Sequence, residues 1–413
     1  MRAAALLALV LCACALSASA RDIASCDTPQ MAPQRSVPFV LLGVGGVGAE
    51  LLRTIVRSRA LHAERYGLRL SALAVCDSSG VVRPAEGGAE VSDEALSALI
   101  AHKERGGKLA TASGSGVACE ARPADVSASE FLREVVLGTG PAAGAIVVDC
   151  TATDATLPAL LSATATTDMR AVLANKKPVT ASMEAWDGLS GPRVRLESTV
   201  GAGLPAIASL QRVVASADRV TKIAGSLSGT LGFVMSALQE GEPFSVVVSR
   251  AKALGFTEPD PRDDLGGVDV ARKALILARV LGLRFEMSHV SIEPLYDEAR
   301  MGGLSVDDFM AALPSLDAEF QARVAAAAAE GKVLRYAATV DATASRLVVG
   351  MQAVSTDSPL GALRGTDNLI EIYSDVYPTS PLVIRGAGAG VESTAAGVLA
   401  DMVELAFSKG DPA

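Results

Sequence analysis

Short apolar runs alternate with amphipathic stretches along the first half of the chain. Continuous apolar runs of about four to eight residues are typical of buried strands, whereas apolar positions three or four apart are typical of helices. The pattern predicts strands at residues 37–42, 69–76, 144–151 and 171–174. It predicts helices at residues 49–59, 92–102 and 127–137. Strands that alternate with helices in this way indicate a doubly wound parallel sheet, so we expect an α/β fold.

From about residue 193 the pattern changes to strands that run into glycine-rich loops. Predicted strands lie at residues 334–340, 347–354, 368–374 and 382–385, and predicted helices at 244–253, from 268 onward and at 392–407. Two or three folded units fit a chain of this length. We therefore expect a first domain at 37–190, a second domain at 191–385 and a C-terminal helical segment at 386–413.

Residues 1–20 have the pattern of a secretory signal peptide. Arg2 precedes an apolar run that is too short to span a bilayer, and small residues follow up to Ala20. The alternative is a buried first helix. Residues 21–36 predict a linker or a second targeting segment. No later apolar run is long enough to cross a membrane, so we expect no membrane contact in the mature protein.

Composition narrows the class of protein. The chain has 413 residues, of which 50% are hydrophobic and 20% charged, which excludes a disordered or disulfide-stapled protein. The net charge of −9 is spread without long single-sign runs, which argues against a nucleic-acid partner and for a small-molecule substrate. Three histidines and six scattered cysteines indicate neither a zinc cluster nor a Ser/His/Asp triad. An enzyme of this composition would use Lys, Asp or Glu as acid and base.

A Gly-x-Gly-x-x-Gly motif lies between the first predicted strand and the first predicted helix. Gly43 permits the tight turn, Gly45 lets a pyrophosphate approach the backbone, and Gly48 lets the helix pack closely on the strand. Val47 lies within the motif, and the N-terminus of the following helix would face the phosphates. This context predicts a dinucleotide-binding site, the alternative being a structural glycine-rich turn.

Asp77 ends the second predicted strand, where an acidic residue can bind the ribose hydroxyls of the adenosine. It lies farther from Gly48 than the roughly 20 residues usual for the motif. The alternative is an aspartate that starts the turn Ser78-Ser79-Gly80. Asp77 therefore points to NAD without deciding between NAD and NADP.

Polar residues at the ends of the next two predicted strands would face the same crevice. Thr151 is a candidate for contact with the nicotinamide, the alternative being a helix cap. Lys176 and Lys177 follow the fourth strand and are candidates for contact with the cofactor or the substrate. Lysine pairs are otherwise usually solvated surface.

Residues 255–273 hold five carboxylates and three cations in one short window. Its two prolines predict a stiff, extended loop, and residues from 268 onward predict a helix. Asp269 and Lys273 are four apart on that helix and project from one face, with Glu258 brought alongside by the loop. The pattern predicts a lysine whose pKa is tuned by its neighbours. The alternative is an ordinary ion pair on a solvated face, worth about 0.3 kcal/mol.

Together these motifs resemble the homoserine dehydrogenase family. The resemblance extends from about residue 37 to the C-terminus, with the motifs in the family's order. Within the family, the chain is similar to the dehydrogenase half of plant-type bifunctional enzymes and to the short fungal forms. We expect no aspartate kinase domain before residue 37 and no C-terminal ACT domain. The segments that carry the resemblance are 43–48, 174–178, 197–205, 225–230 and 255–273.

The resemblance implies NAD(P)H-dependent reduction of L-aspartate 4-semialdehyde to L-homoserine. By position, Lys273 would be the proton donor and acceptor for the substrate oxygen, and Lys176 a second essential lysine between cofactor and substrate. The residues implied to hold the substrate are Glu258, Asp264 and Asp269.

The resemblance also implies two sites formed by loops. Gly255 and the loop that contains Gly388 would approach the cofactor. Backbone carbonyls in the loop at 197–204 would surround a structural sodium ion, and the residues that contribute them are Glu197, Val200, Ala202 and Leu204.

The family's architecture is a Rossmann-type dinucleotide-binding domain into which an α+β substrate and dimerisation domain is inserted. The resemblance therefore implies a homodimer and a last helix that returns to the first domain. A signal peptide on such an enzyme leads us to expect a plastid reached through the secretory route. Two alternative functions are another NAD(P)-dependent amino-acid or semialdehyde dehydrogenase and a non-catalytic nucleotide-sensing protein.

Overall fold

The first apolar run after residue 35 forms the central strand of a seven-stranded sheet. The computed structural model describes residues 35–139, 144–165 and 168–408. Residues 39–42 of the central strand have no exposed surface. The strands of this sheet are β1 (Arg35–Leu42), β2 (Leu68–Cys76), β3 (Gly80–Pro84), β4 (Val117–Ala121), β5 (Ile146–Asp149), β6 (Arg170–Leu173) and β7 (Val194–Arg195).

The strand order of this first sheet is β4-β3-β2-β1-β5-β6-β7. β1, β5, β6 and β7 run parallel, whereas β3 is antiparallel to both β2 and β4. After β1 the chain adds strands on one side of it and later on the other side. Such a reversal opens a crevice at the carboxyl ends of the strands, which is where a dinucleotide-binding fold holds its ligand.

Helices accompany the first sheet, and side-chain caps mark where several of them begin. Ser92 Oγ accepts a hydrogen bond of 3.2 Å from Ala95 N and caps α3, and Asn175 Oδ1 accepts one of 3.1 Å from Lys177 N and caps α6. The helices of this part are α1 (Gly46–Arg57), α2 (Arg59–Tyr66), α3 (Asp93–Glu104), α4 (Ala128–Thr139), α5 (Leu157–Ala165), α6 (Lys176–Ala181) and α7 (Met183–Leu189).

The described chain divides into two compact units. The smaller unit comprises residues 35–36 and Ser58–Arg69, where Gly67 ends α2 in the left-handed conformation with φ +57°. The larger unit comprises Val37–Arg57 and the described residues from Leu70 onward. All residues of the candidate site belong to the larger unit.

A second, six-stranded sheet follows in the order β13-β12-β8-β10-β11-β9. Its pairs are antiparallel except for β9 with β11, which is parallel. Its strands are β8 (Val220–Ser226), β9 (Val290–Ile292), β10 (Lys332–Asp341), β11 (Arg346–Ser355), β12 (Asn368–Ser374) and β13 (Leu382–Gly386).

Helices cover one face of the second sheet. Ile223, Tyr336, Val340 and Ile370 point into a common apolar core on that face, against which α9, α12 and α15 pack. The helices of this part are α8 (Ala206–Ala215), α9 (Gly229–Gln239), α10 (Phe244–Ala253), α11 (Arg262–Leu265), α12 (Val268–Val280), α13 (Glu298–Met301), α14 (Val306–Ala312), α15 (Asp317–Ala329), α16 (Pro359–Ala362) and α17 (Val391–Phe407). The opposite face is only partly covered, and Val383 on it is 38% exposed.

The last helix, α17, packs on α1 and on the first sheet. Arg170 Nη1 donates a hydrogen bond of 2.7 Å to the carbonyl of Leu405, and Arg195 forms an ion pair of 3.0 Å with Glu404. The last helix thus lies beside α1 and beside β6 and β7 of the first sheet. The domain limits at 190 and 385 stay predictions, because both sheets and α17 belong to one compact unit.

The predicted fold class is confirmed: a Rossmann-type sheet is followed by a second α+β part. Several predicted bounds were wrong. Helix α1 begins at Gly46 rather than at residue 49, the strand predicted at 144–151 covers only Ile146–Asp149, and the expected extended loop contains α11. The signal peptide at 1–20 and nearly all of the linker at 21–36 lie outside the described residues. Within the described ranges, no helix has the length and hydrophobicity needed to cross a membrane.

Candidate active site

A cleft of about 1400 Å³ opens where four strands of the first sheet end. Gly43 follows β1, Asp77 follows β2, Thr151 comes shortly after β5, and Lys176 comes shortly after β6; all four line the cleft. Glu258 and Lys273 line it from the second part of the chain. The glycine motif and both predicted essential lysines therefore border one space.

The glycine motif is shaped as its sequence predicts. Gly43 has φ +93°, and a Cβ atom there would lie 2.7 Å from the Cγ2 atom of Thr151. A Cβ atom at Gly48 would overlap the carbonyl oxygen of Gly43, whereas one at Gly45 would meet only open space. Gly45 and Val47 line the cleft, while Gly48 is buried under the turn. The backbone at Gly45 is thus open to a ligand at the N-terminus of α1.

Asp77 lines the cleft, but protein donors occupy both of its carboxylate oxygens. Oδ1 accepts hydrogen bonds from the backbone and hydroxyl of Ser79, and Oδ2 accepts them from Lys103 Nζ at 2.6 Å and Leu109 N at 3.1 Å. Burial opposes ionisation of Asp77, but the bonds from Lys103 and Ser79 outweigh it and lower its pKa. Asp77 starts the turn at 77–80 and anchors Lys103; its binding of ribose stays a prediction.

A buried hydrogen-bond network lies behind Thr151 and sets the start of α6. Asp149 has no exposed surface, and its carboxylate accepts bonds from the Thr151 hydroxyl at 2.7 Å and the Thr156 hydroxyl at 2.6 Å. The amide of Asn175 donates to Asp149 Oδ2 at 3.1 Å and to Thr151 Oγ1 at 3.1 Å. Burial raises the pKa of Asp149. The network places Lys176 directly after its cap, Asn175.

Two ammonium groups share one carboxylate at the far side of the cleft. Lys273 Nζ lies 2.9 Å from Asp269 Oδ2, and Lys176 Nζ lies 3.3 Å from Asp269 Oδ1. Burial works against the charge of Asp269, but the two lysines prevail and lower its pKa to about 2. Asp269 therefore stays ionised over the whole physiological pH range.

Lys273 is not part of a solvated surface pair. It is only 9% exposed, and its ammonium also donates a hydrogen bond of 2.6 Å to the carbonyl of Leu227, just after β8. Lys177 differs from its neighbour Lys176: its ammonium lies 3.3 Å from Asp154, and it does not line the cleft. The geometry thus selects one lysine from the Lys176-Lys177 pair.

The acidic loop before α12 brings one further carboxylate to the cleft. Glu258 lines the cleft, and its backbone N–H donates a hydrogen bond of 2.8 Å to Asp264 Oδ2. Burial raises the pKa of Asp264, which does not line the cleft. Gly255 does not line it either; with φ +72° it terminates α10. Asp264 holds the Glu258 loop, and the predicted cofactor contact of Gly255 stays a prediction.

The loop at 197–204 packs against both α8 and α17. The carboxylate of Glu197 accepts bonds from Ile207 N at 2.7 Å and Ala208 N at 2.8 Å, so it caps α8. Ala202 lines the cleft, whereas Val200 and Leu204 do not. In the described residues, no group of three or more His, Cys, Asp or Glu side chains forms a metal site. A cation in this loop would therefore depend on backbone carbonyls.

The glycine-rich loop before α17 also borders the cleft. Gly388 lines it, and Asn368, which is fully buried, donates a long hydrogen bond of 3.4 Å to the Gly388 carbonyl. A Cβ atom at Gly388 would overlap the Asn368 side chain. Position 388 thus accepts only glycine, because the amide side chain fills the space behind it.

Sequence reasoning missed three residues that shape the site: Asp149, Asn175 and Asn368. The first two carry a recognisable signal, since a polar residue at the end of an otherwise apolar strand faces the crevice in this type of sheet. Asn368 carries none, because its role depends on a loop that lies 20 residues farther along the chain.

Comparisons with known proteins show which family the chain resembles. The homoserine dehydrogenase family model matches residues 205–403. A bifunctional aspartokinase/homoserine dehydrogenase from Haemophilus influenzae is 35% identical over 376 residues, which cover 90% of this chain and 43% of that protein. A homoserine dehydrogenase from Emericella nidulans is 41% identical over 251 residues, which cover 57% of this chain and 68% of that protein.

Solved structures share the fold. A hyperthermophilic archaeal homoserine dehydrogenase in complex with NADPH matches with a TM-score of 0.64 and 22% identity, covering 90% of this chain and 98% of that one. At this identity the match shows the fold alone. The chain spans less than half the length of the bifunctional Haemophilus relative, and it corresponds to the dehydrogenase part of such proteins. The chain belongs to the homoserine dehydrogenase family.

Proposed function

We propose that the protein interconverts L-aspartate 4-semialdehyde and L-homoserine with a nicotinamide dinucleotide. One observation carries the proposal: the glycine motif at 43–48 and the Lys176–Asp269–Lys273 cluster border the same cleft. A dinucleotide bound at the motif and a small substrate bound at the cluster would lie side by side. The relatives' names point to the same reaction.

The cluster suits carbonyl reduction. When bound at the glycine motif, a reduced nicotinamide would supply a hydride to the aldehyde carbon. Negative charge then develops on the carbonyl oxygen, and the Lys273 ammonium stabilises this charge and donates a proton to form the alcohol. Oxidation of the alcohol returns the proton to Lys273. Asp269 and the carbonyl of Leu227 hold that ammonium in place.

The carboxylates at the cleft suit a substrate that is an amino acid. The substrate carries an α-ammonium group, which needs acidic partners in the cleft. Glu258 lines the cleft and Asp269 lies next to both lysines, so they are the proposed partners. Asp264 acts through the backbone of Glu258. The lysines attract the substrate carboxylate as well as the developing oxyanion.

Removal of either cleft lysine tests the proposal. We expect Lys273→Ala to lower kcat for L-homoserine oxidation at least ~100-fold, because the proton donor and acceptor is lost. Lys176→Ala should also lower it severely, whereas Lys177→Ala, the matched control that faces Asp154, should stay within about twofold of the parent. The measurement is steady-state turnover with a panel of 2-amino acids that carry a hydroxyl or an aldehyde on the side chain. Parental turnover by Lys273→Ala, or preference for another carbon skeleton, would contradict the proposal.

For the cofactor we propose a preference for NADP(H). The cleft near Asp77 is lined by Arg53, Ser78 and Lys103. Since Lys103 neutralises Asp77 and donors already occupy both of its oxygens, the aspartate does not repel a 2′-phosphate as a free carboxylate would. The proposed partners of that phosphate are the Lys103 ammonium, the Ser78 hydroxyl and the Arg53 guanidinium, which also pairs with Glu50 and Glu104. The NADPH complex of the archaeal family member is in line with this preference.

Lys103→Gln tests the cofactor preference, because glutamine keeps a hydrogen bond to Asp77 but removes the charge. We expect the KM for NADPH to rise about tenfold, as for the loss of one charge-assisted contact, with the KM for NADH changed less than twofold. Arg105→Gln, an exposed cation two residues away, is the matched control and should change neither value. An equal rise of both KM values in Lys103→Gln would contradict the assignment.

We also propose that the protein is a homodimer formed through the second sheet. The face of this sheet away from the helices carries Val383, which is 38% exposed. The hairpin between β12 and β13 adds Val376 and Tyr377, which are 65% and 42% exposed. An apolar patch on an edge hairpin of a sheet favours pairing with a second copy.

Sedimentation velocity tests this oligomeric state. We expect the parent to sediment as a dimer and Val383→Glu to shift the protein toward the monomer, because a buried carboxylate at the interface would be unpaired. Val246→Glu places the same charge on α10, at a site that is 51% exposed, and should leave the dimer intact. A parent that is monomeric, or a Val383→Glu variant that dimerises as tightly as the parent, argues against this interface.

We further propose a structural sodium ion in the loop at 197–204. Gly201 and Ala202 both have left-handed backbone conformations, with φ +80° and +57°, which turn the loop tightly. The carbonyls of Glu197 and Leu204 each accept one backbone hydrogen bond, which leaves a second lone pair on each for a cation. Oxygen ligands suit a hard cation.

Exchange of sodium for choline tests the ion. At equal ionic strength, the melting temperature should be higher in sodium chloride than in choline chloride by about 2–4 °C, because a ligand of the folded state alone stabilises it. Equal melting temperatures in the two salts would contradict the proposed sodium site.

A further inference from the structure

Arg279, on the last turns of α12, is buried and is linked to a different helix. It is 2% exposed, and its Nη1 atom donates a hydrogen bond of 2.7 Å to the carbonyl of Val179 on α6. Its Nη2 atom pairs with Glu286 at 2.9 Å. The other carboxylate oxygen of Glu286 accepts a bond of 2.8 Å from Met183 N, at the start of α7. The arginine and the glutamate together hold the junction between α6 and α7.

The contacts of α6 with α12 follow one stripe of α12. Asp269, Arg272 and Arg279 are three and seven residues apart, so their side chains lie on one face of the helix. Asp269 pairs with Lys176 at the start of α6, and Arg272 Nη1 donates a bond of 2.6 Å to the Thr180 hydroxyl. Arg279 completes the stripe at the C-terminal end of α6. Three polar contacts thus fix the register of the short helix α6 against α12, and each of these helices carries one cleft lysine.

We propose that Arg279 is a positioning residue for the reaction, because it holds α6 in register with α12 so that Lys176 reaches Asp269. The inference rests on the proposed function of the two lysines. Arg279 itself touches neither the cleft nor the Asp269 cluster in the described residues. It acts through the backbone of α6, whose first residue is Lys176.

The ion pair with Glu286 does not by itself explain why an arginine is buried at position 279. The Arg279–Glu286 ion pair adds little net stability, because the Glu286 side chain is 37% exposed and its charge stays partly solvated. The guanidinium does, however, satisfy backbone carbonyls of two segments at once, through Val179 and through Phe285, whose carbonyl accepts a bond of 2.9 Å. Lysine cannot reproduce this forked geometry. Arg279 therefore fixes the position of α6 relative to α12, and with it the position of Lys176 relative to Lys273.

A matched pair of variants separates positioning from general stability. Arg335, on β10, is a second buried arginine, 2% exposed, and donates to the carbonyls of Leu360, Gly361 and Leu363. None of these residues lines the cleft. Arg279→Lys and Arg335→Lys both remove one forked set of carbonyl bonds. For folded protein, we expect Arg279→Lys to lower kcat for L-homoserine at least tenfold with the KM for NADPH within twofold, and Arg335→Lys to keep kcat within twofold.

A double-mutant cycle identifies the residue through which Arg279 acts. In a Lys176→Ala background, Arg279→Lys should lower kcat less than threefold further, because the lysine to be positioned is already absent. Losses that multiply in the double variant, or parental kcat in folded Arg279→Lys, would overturn the inference. If Arg279→Lys fails to fold, Glu286→Gln weakens the same junction while keeping the size of the side chain, and the same kcat comparison is made with it.

Amide hydrogen exchange gives a readout that needs no activity. We expect exchange in residues 176–182 to be about tenfold faster in Arg279→Lys than in the parent and unchanged there in Arg335→Lys. If the parent does not oxidise L-homoserine, the proposed function is wrong. The exchange rates still test whether Arg279 links α6 to α12, because they do not depend on activity. Unchanged exchange at 176–182 in Arg279→Lys would reject the link between the two helices.

Discussion

The carboxylate of Asp269 lies between two ammonium groups, and the proposed chemistry of the cleft depends on this contact. Two cations brought to one partly buried place repel each other unless an anion lies between them. Asp269 supplies that anion and keeps its charge, since the lysines lower its pKa to about 2. A substrate with its own ammonium and carboxylate can then enter a site that already holds both signs of charge.

Beside the polar contacts of α6 and α12, close packing shapes the scaffold that delivers these groups. At the start of α12, Gly267 has φ +73°, and a Cβ atom there would clash with the ring of Tyr336, which is almost fully buried. The glycine turn at Gly43 and Gly48 is equally tight on the nucleotide side. Both sides of the cleft are therefore set by positions where the backbone approaches other groups too closely for any larger side chain.

Much of this arrangement was predictable from local sequence. The glycine motif lies between a strand and a helix, and Asp269 and Lys273 form the pair that their spacing of four predicts. The third partner, Lys176, lies nearly 100 residues earlier, and no local pattern shows that it meets Asp269. Asp77 forms the turn that its alternative interpretation predicts, with a bond from Ser79 N, while its ribose contact stays a prediction. The donors from Lys103 on α3 and from Leu109 lie 26 and 32 residues away, where no local pattern points to them. Long-range contacts of this kind cannot be predicted from periodicity or composition, because both describe only local sequence.

Asp269→Asn examines the shared carboxylate most directly, since the amide has the same shape but no charge. We predict that kcat/KM for L-homoserine falls at least ~100-fold, because both lysines lose the anion that they share, while the dissociation constant of NADPH measured by fluorescence titration changes less than twofold. A variant that keeps the parental kcat/KM, or that loses NADPH binding in proportion to its activity, would contradict the role of Asp269 as the anion on which both lysines depend.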